Sequence, residues 1–475
     1  MAKMLWLNWS GGGNLPPSLG IARALTERGH DVAFAGRPEM VPRVERAGFR
    51  AIELTRAYEQ AHRYPEGKWL PKAASFLTSP AVAEQIRDVL LAEDPDLVIV
   101  DQMFPVALLE AERFGRPSVA VCHTSVWRCL PMWRRFFAML TGLRTEAGFE
   151  PIPPALEELW MLQDKMIVTT LASLDQAPGE LGQAYKVRHV GPVLERERHG
   201  VRVDLPWSDD TQNPLVLVSF STAPEQGSVK KFQNAIDALA FLPVHGVVTV
   251  GDSIDPAALR PAENVVIFGT ADHDDLMRHA ALVVTHGGHG TLMRALRNGL
   301  PMVVIPGSGG DQPGNAAAAE AWGVGRALPA DADAESMRLA IEDVGRDVDA
   351  AGQDEPQRAD QHVARAGLRD ETERAAVERL DDVVAIVECR QHHDGERWMV
   401  LAQFRHHIEA VAVGQLEVEQ HEREVGMLLD QGHGLAAGPR LEHDGVALQL
   451  NEHAAQGLAD QGVIVDDQKF HSGLP

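Results

Sequence analysis

The chain has 475 residues, 45% of them apolar and 24% charged, which is globular composition and too long for one typical domain. Asp plus Glu number 68 against 44 Lys plus Arg, a formal charge of −24, and an acidic chain repels phosphate, so nucleic acid is not expected as a partner. Cys122, Cys129 and Cys389 are too few for a disulfide scaffold and stand in no zinc spacing; with no signal-peptide pattern and no run of about 18 apolar residues, a cytoplasmic, metal-free protein without stable membrane insertion is expected.

In chain order, the apolar run Met4–Trp9 reads as a strand that empties into a glycine turn, Gly11 to Gly13, followed by Asn14. Ser18–Arg28 has helical spacing, and Val32–Ala35 returns to a strand. Two further strand-length runs, Leu97–Val100 and Ser118–Cys122, lead into Asp101 and His123. Strand-like runs alternating with amphipathic stretches imply a parallel sheet with crossover helices. The next segment carries Trp127, Trp133, Phe136, Phe137 and Met139. These read either as core or as flat, adaptable walls for a large apolar ligand.

A polar stretch, Glu195–Pro214, has the look of a linker, and beyond it the pattern restarts. Strands are expected at Leu215–Phe220, Gly246–Val250, Val265–Phe268, Ala281–Thr285 and Met302–Ile305, with a helix at Val229–Ala240. The expected organisation is an α/β domain over 1–200, a linker over 201–214 and a second α/β domain over 215–345. Open α/β sheets bind ligands at the carboxyl ends of their strands, so two in tandem frame a cleft.

The most informative segment runs from Ala281 through His286-Gly-Gly-His-Gly-Thr291, where a buried strand passes through a glycine turn directly into a helix. Gly287, Gly288 and Gly290 let backbone N–H groups come close to a ligand, and the helix N-terminus adds roughly half a positive charge, which makes an anion site. His286 offers a donor to a diphosphate oxygen and Thr291 a hydroxyl. After the next strand, Asp311 and Gln312 present paired acceptors and amide donors of the kind that suits sugar hydroxyls. Asp272-His-Asp-Asp275 contains a D-x-D spacing, but it precedes Leu276-Met277 where a helix N-cap is expected, so capping is preferred to metal ligation.

Residues 351–475 differ from all that precedes them. They hold 10 of the 20 histidines, 12 glutamines, a single Ser and a single Thr, and 24 acidic against 11 basic side chains, which marks a boundary. The tail, 346–475, has two readings: an acidic helical or disordered appendage, or translation in a shifted frame.

Taken together, His286 to Thr291 with Asp311, Gln312 and Asn315 resemble the nucleotide-sugar-dependent glycosyltransferases of family 1, the group of macrolide and UDP-glycosyltransferases, over residues 1 to about 345. The resemblance implies the GT-B fold: two Rossmann-like domains facing across a cleft, followed here by a divergent tail. It implies transfer of a hexose from a nucleotide-diphospho-sugar, UDP- or dTDP-linked, to a hydroxyl of an apolar acceptor such as a natural product, sterol or glycolipid. Inversion at the anomeric centre, no metal and no further cofactor are also implied. Donor contacts would come from Ser221, Thr222, His286, Gly287, Gly288, Gly290, Thr291, Asp311 and Gln312. Many members carry a ribose-binding Glu eight residues after the phosphate-contacting His; this chain has Arg294 there. A Rossmann dehydrogenase fits poorly, since the first turn reads Gly11-x-Gly13-x-x-Pro16 and the second strand ends without the ribose-binding acid.

Transfer to a hydroxyl needs a base, and the family's usual His is replaced by Asn14, whose amide accepts no proton near neutral pH. The orienting acid of the family's dyad corresponds to Asp101. Three possibilities stand: Asp101 is the base or His123 is the base, in either case with Asn14 holding the acceptor, or the site has none. In the last case the chain is a catalytically impaired, nucleotide-sugar-binding relative.

Overall fold

The computed structural model describes residues 1–351 apart from 11–12, 68, 153–154, 176–185, 195–202, 208–211, 221–227, 252 and 308–309, and apart from the side chains of 347–351. Ser221, Thr222, much of the expected linker and the tail from 352 lie outside the described residues.

Two all-parallel sheets carry the fold. The first contains β1 (Lys3–Asn8), β2 (Asp31–Gly36), β3 (Arg50–Glu53), β4 (Leu97–Asp101), β5 (Ser118–Cys122), β6 (Lys165–Val168) and β7 (Val187–His189), in the order β3-β2-β1-β4-β5-β6-β7. The second contains β8 (Leu215–Ser219), β9 (His245–Thr249), β10 (Val265–Phe268), β11 (Ala280–Thr285), β12 (Met302–Val304) and β13 (Gly325–Ala327), in the order β10-β9-β8-β11-β12-β13. Every strand expected from the sequence is present within a residue or so of its bounds. Both sheets belong to one compact unit.

The apolar runs arise because helices cover both faces of each sheet. Along β1, Leu5 and Leu7 point into one core with Val98, Val100 and Phe104, while Met4 and Trp6 point into another with Phe34, Leu19 and Ile21. This is the two-residue period of a strand buried on both sides. The second sheet repeats it, with Val216 and Val218 against Phe232 and Ile236, and Leu217 against Leu292 and Leu296. The helix Ala334–Ala351 runs across residue 345, where the second domain was expected to end, and buries Met337, Ile341 and Val344 in the same core as Phe232.

In each sheet the strand order reverses once, between β1 and β4 and between β8 and β11. Crossovers leave such a pair in opposite directions, so the loops at the carboxyl ends of those strands part and leave a crevice. Asn14 and Asp101 flank the first switch point, and Ser219 and His286 the second. The helix after β1 begins at Leu15, earlier than expected, because Pro16 and Pro17 occupy its first turn, where no intrahelical N–H is needed. Among the described residues no helix is long and apolar enough to cross a membrane.

Candidate active site

At the first switch point three side chains converge. Asn14 occupies the N-cap position of its helix, yet its side chain makes no capping bond. Its Nδ2 instead donates to Asp101 Oδ2 at 2.7 Å. His123 Nε2 lies 3.2 Å from the same oxygen, and Asp101 Oδ1 accepts the Met103 N–H at 3.0 Å. Ser18 Oγ stands 3.5 Å from His123 Nε2. Both Asp101 oxygens are therefore engaged, and the residue is 2% exposed. Two buried polar atoms are left without a hydrogen-bond partner, His123 Nδ1 and Asn14 Oδ1. A buried polar atom without a partner is costly, so such atoms mark a place where a ligand is expected to bond.

At the second switch point β11 ends at Thr285 and the helix His289–Arg297 begins after Gly288. No side chain caps that helix, and its first turn holds no acidic residue, so its leading N–H groups remain available to an anion. Gly287 has φ +82°, and a Cβ there would lie 2.9 Å from Val304 Cγ1 and 3.1 Å from the Gln312 carbonyl. A Cβ on Gly288 would press on His286 Nε2 at 2.6 Å. Gly290 is exposed, and a Cβ there would meet nothing within 4 Å. Thr291 is half-buried beside it.

Burial pushes the His286 pKa down to about 4, with the Asp311 charge opposing that shift and Lys231 adding to it. The ring is thus neutral at pH 7, and its Nδ1 is buried without a partner. Lys231 enters the site unannounced by the sequence. Its Nζ donates to the Ile305 carbonyl at 3.2 Å, and burial lowers its pKa. His289, inside the motif but given no role from sequence, has a buried and unpartnered Nε2. Burial and, on a smaller scale, the neighbouring His123 lower its pKa, while Asp311 raises it.

Asp311 and Gln312 behave differently. Asp311 Oδ2 accepts Thr124 Oγ1–H at 2.9 Å, across the cleft, and Asn315 Nδ2–H at 2.9 Å. Asn315 Nδ2 also donates to the Gly287 carbonyl at 2.8 Å, which ties this helix start to the glycine turn. The Gln312 side chain folds inward, its Oε1 accepting the Gly307 N–H at 2.7 Å to close the intervening loop. Arg128 adds a second bridge, Nη1 donating to the Gly314 carbonyl at 3.3 Å with the guanidinium 5.7 Å from the Trp322 ring.

Asp272 caps the helix His273–His279, its side chain accepting the Asp275 N–H at 3.0 Å, which is the capping expected of the D-x-D segment. Arg294 pairs with Asp274 Oδ1 at 2.6 Å, leaving Asp274 Oδ2 buried without a partner, so a carboxylate does stand beside the position lacking the usual Glu. Among the described residues no group of three or more His, Cys, Asp or Glu is arranged to hold a metal ion. Cys122 and Cys129 are free and buried; burial pushes the Cys129 thiol up to about 12, so neither is a nucleophile at neutral pH.

The aromatic segment divides. Trp127 and Phe137 are core, and Met139 is exposed. Phe136 lies 6.4 Å from the ring of the buried Trp9 and stacks at 5.6 Å on Trp69, itself 39% exposed, so the exposed aromatic face is that of Trp69 and the partly buried Phe136.

Residues 250–367 match the family model for the glycosyltransferase family 28 C-terminal domain, and residues 19–146 the model for glycosyltransferase family 4. The first of these runs past residue 345. Demethyllactenocin mycarosyltransferase from Streptomyces fradiae is 28% identical over 347 residues, covering 64% of this chain and 71% of that protein. The solved glycosyltransferase of kitacinnamycin superposes with a TM-score of 0.63 at 22% identity, over 81% of this chain and 99% of the other. The glycosyltransferase VinC, crystallised with dTDP, gives 0.60 at 16% identity, over 81% and 99%. With two parallel-sheet domains meeting at their switch points and a glycine turn leading into an uncapped helix, the chain has the GT-B fold and is similar to family 1 glycosyltransferases.

Proposed function

We propose that the protein transfers a hexose from a UDP- or dTDP-hexose to a hydroxyl of an apolar natural-product-like acceptor, inverting the anomeric centre without a metal ion. The observation that carries this is the pairing of an uncapped helix N-terminus and neutral His286 on one side of the cleft with the Asn14–Asp101–His123 cluster on the other. The mycarosyltransferase relative and the dTDP-bound neighbour support donor and acceptor classes of this kind.

His123 is the better candidate for the base. With Nε2 turned to Asp101, the Nδ1 lone pair is free to take the hydroxyl proton, while both oxygens of Asp101 are already accepting bonds. The acceptor oxygen attacks the anomeric carbon as the bond to the diphosphate oxygen breaks. His286, the helix N-terminus and Lys231 stabilise the negative charge that develops on the leaving group. Asn14 Oδ1 is available to a second acceptor hydroxyl, and Phe136 and Trp69, backed by the buried Trp9, offer an apolar surface for the aglycone.

Nucleotide release from UDP- and dTDP-hexoses with a panel of apolar alcohols tests this reading. His123→Ala lowers turnover by about 10² to 10⁴-fold with donor affinity kept, and His286→Ala weakens donor binding by about one to two decades. Full turnover in both His123→Ala and Asp101→Ala, or unchanged donor affinity in His286→Ala, counts against it. Asn14, which cannot act as a base, favours a second reading, a relative that binds donor without transfer. Donor binding with no release on any acceptor selects that reading, and Asn14→His then restores turnover.

A further inference from the structure

The segment from His123 to Arg128 links β5 to the helix Leu130–Glu146 and contains no helix or strand of its own. Yet three of its side chains reach the site: His123 to Asp101, Thr124 to Asp311, and Arg128 to the Gly314 carbonyl and the Trp322 ring. Such a loop needs an external brace to hold one conformation.

That brace is Asp175, remote in sequence and 1% exposed. Its Oδ1 accepts the N–H groups of Trp127 at 2.8 Å and Arg128 at 3.1 Å, and its Oδ2 accepts the Val126 N–H at 2.9 Å. His189 Nε2, on the edge strand β7, lies 3.0 Å from Oδ2. Three successive backbone N–H groups converging on one carboxylate form an anion nest whose occupant is supplied by the protein itself. Bonds from N–H to an ionised carboxylate are stronger than neutral ones, and their geometry fixes the backbone that makes them.

We propose that Asp175 is a positioning residue of the active site, holding the 123–128 loop so that His123 faces Asp101 while Thr124 and Arg128 engage the second domain. His189 keeps the carboxylate in place from behind. The proposal rests on His123 being the base, and its test separates the two ideas.

Asp175→Asn keeps the shape but turns one of the two accepting oxygens into an N–H₂ group, so either the Val126 N–H or the Trp127 and Arg128 N–H pair loses its acceptor, and the remaining bonds lose the carboxylate charge. Hydrogen exchange of the purified full chain, followed by mass spectrometry, is expected to show amides 126–128 exchanging at least about tenfold faster, with the 286–297 segment unchanged. Turnover is expected to fall about tenfold or more while the affinity for UDP or dTDP stays within about twofold. In the double variant His123→Ala/Asp175→Asn the second change adds little, because its effect already passes through His123. Unchanged exchange at 126–128, unchanged turnover in the folded variant, or fully additive losses overturns the proposal. Full turnover in His123→Ala alone overturns the base assignment, while the exchange result still decides whether Asp175 braces the loop. Should Asp175→Asn fail to fold, His189→Gln is measured instead, with the same pattern at smaller amplitude, and its absence is equally decisive.

Discussion

Two histidines near the donor turn make the second domain sensitive to acid. Burial lowers His273 to about 4, with Arg294 adding to the shift, and its Nε2 lies 2.9 Å from Thr249 Oγ1; His286 sits at about the same value for the same main cause. In the unfolded chain both protonate near pH 6.5. Between those values the unfolded state binds more protons, so stability is full above about pH 6.5 and falls as pH drops toward 4. The unfolding free energy from urea titrations is expected to decline from pH 7 to pH 5, by up to about 3 kcal/mol per histidine over the whole window down to pH 4. His273→Gln flattens part of that slope; an identical slope in the variant means that this imidazole stays solvated.

The strand–turn–helix unit at 280–297 separates two uses of glycine. Gly287→Ala is expected to cost about 1 to 3 kcal/mol in stability, since the left-handed backbone and the contacts to Val304 and Gln312 leave no room for a methyl group. Gly290→Ala is helical, exposed and unhindered, so stability holds or improves slightly, and any loss of donor affinity there reports the ligand itself. Equal destabilisation in both, by thermal melting, contradicts the distinction. Most of the central strands were legible in the sequence because they are buried on both faces and read as unbroken apolar runs. Four strands were not: the inner strand Lys165–Val168 is only four residues long, and the edge strands Arg50–Glu53, Val187–His189 and Gly325–Ala327 are short and partly exposed, with positions set by the neighbour they pair with. The same division holds in the site. Asn14, Asp101, His123 and His286 announce themselves by standing at strand ends, whereas Asp175 bonds to backbone N–H groups, which leave no signature in side-chain sequence, and Lys231 is aligned only by the packing of its helix.

At the scale of the whole molecule the two sheets are joined through the loop after β5. Thr124 reaches Asp311, and Arg128 reaches Gly314 and Trp322. Asp311 is the carboxylate proposed for the hexose, so one of its oxygens is shared with a hydroxyl from the other half of the protein. If Asp311 holds the hexose as proposed, sugar preference is expected to depend on both halves of the protein. In chimeras that graft residues 215–351 onto a foreign amino-terminal half, the preference among donor sugars is expected to follow the graft only when residues 123–128 travel with it, measured as relative nucleotide release across a sugar series. Recombination between paralogues at the linker alone would then scramble donor choice instead of transplanting it, and a chimera that inherits its preference intact without the loop would refute this.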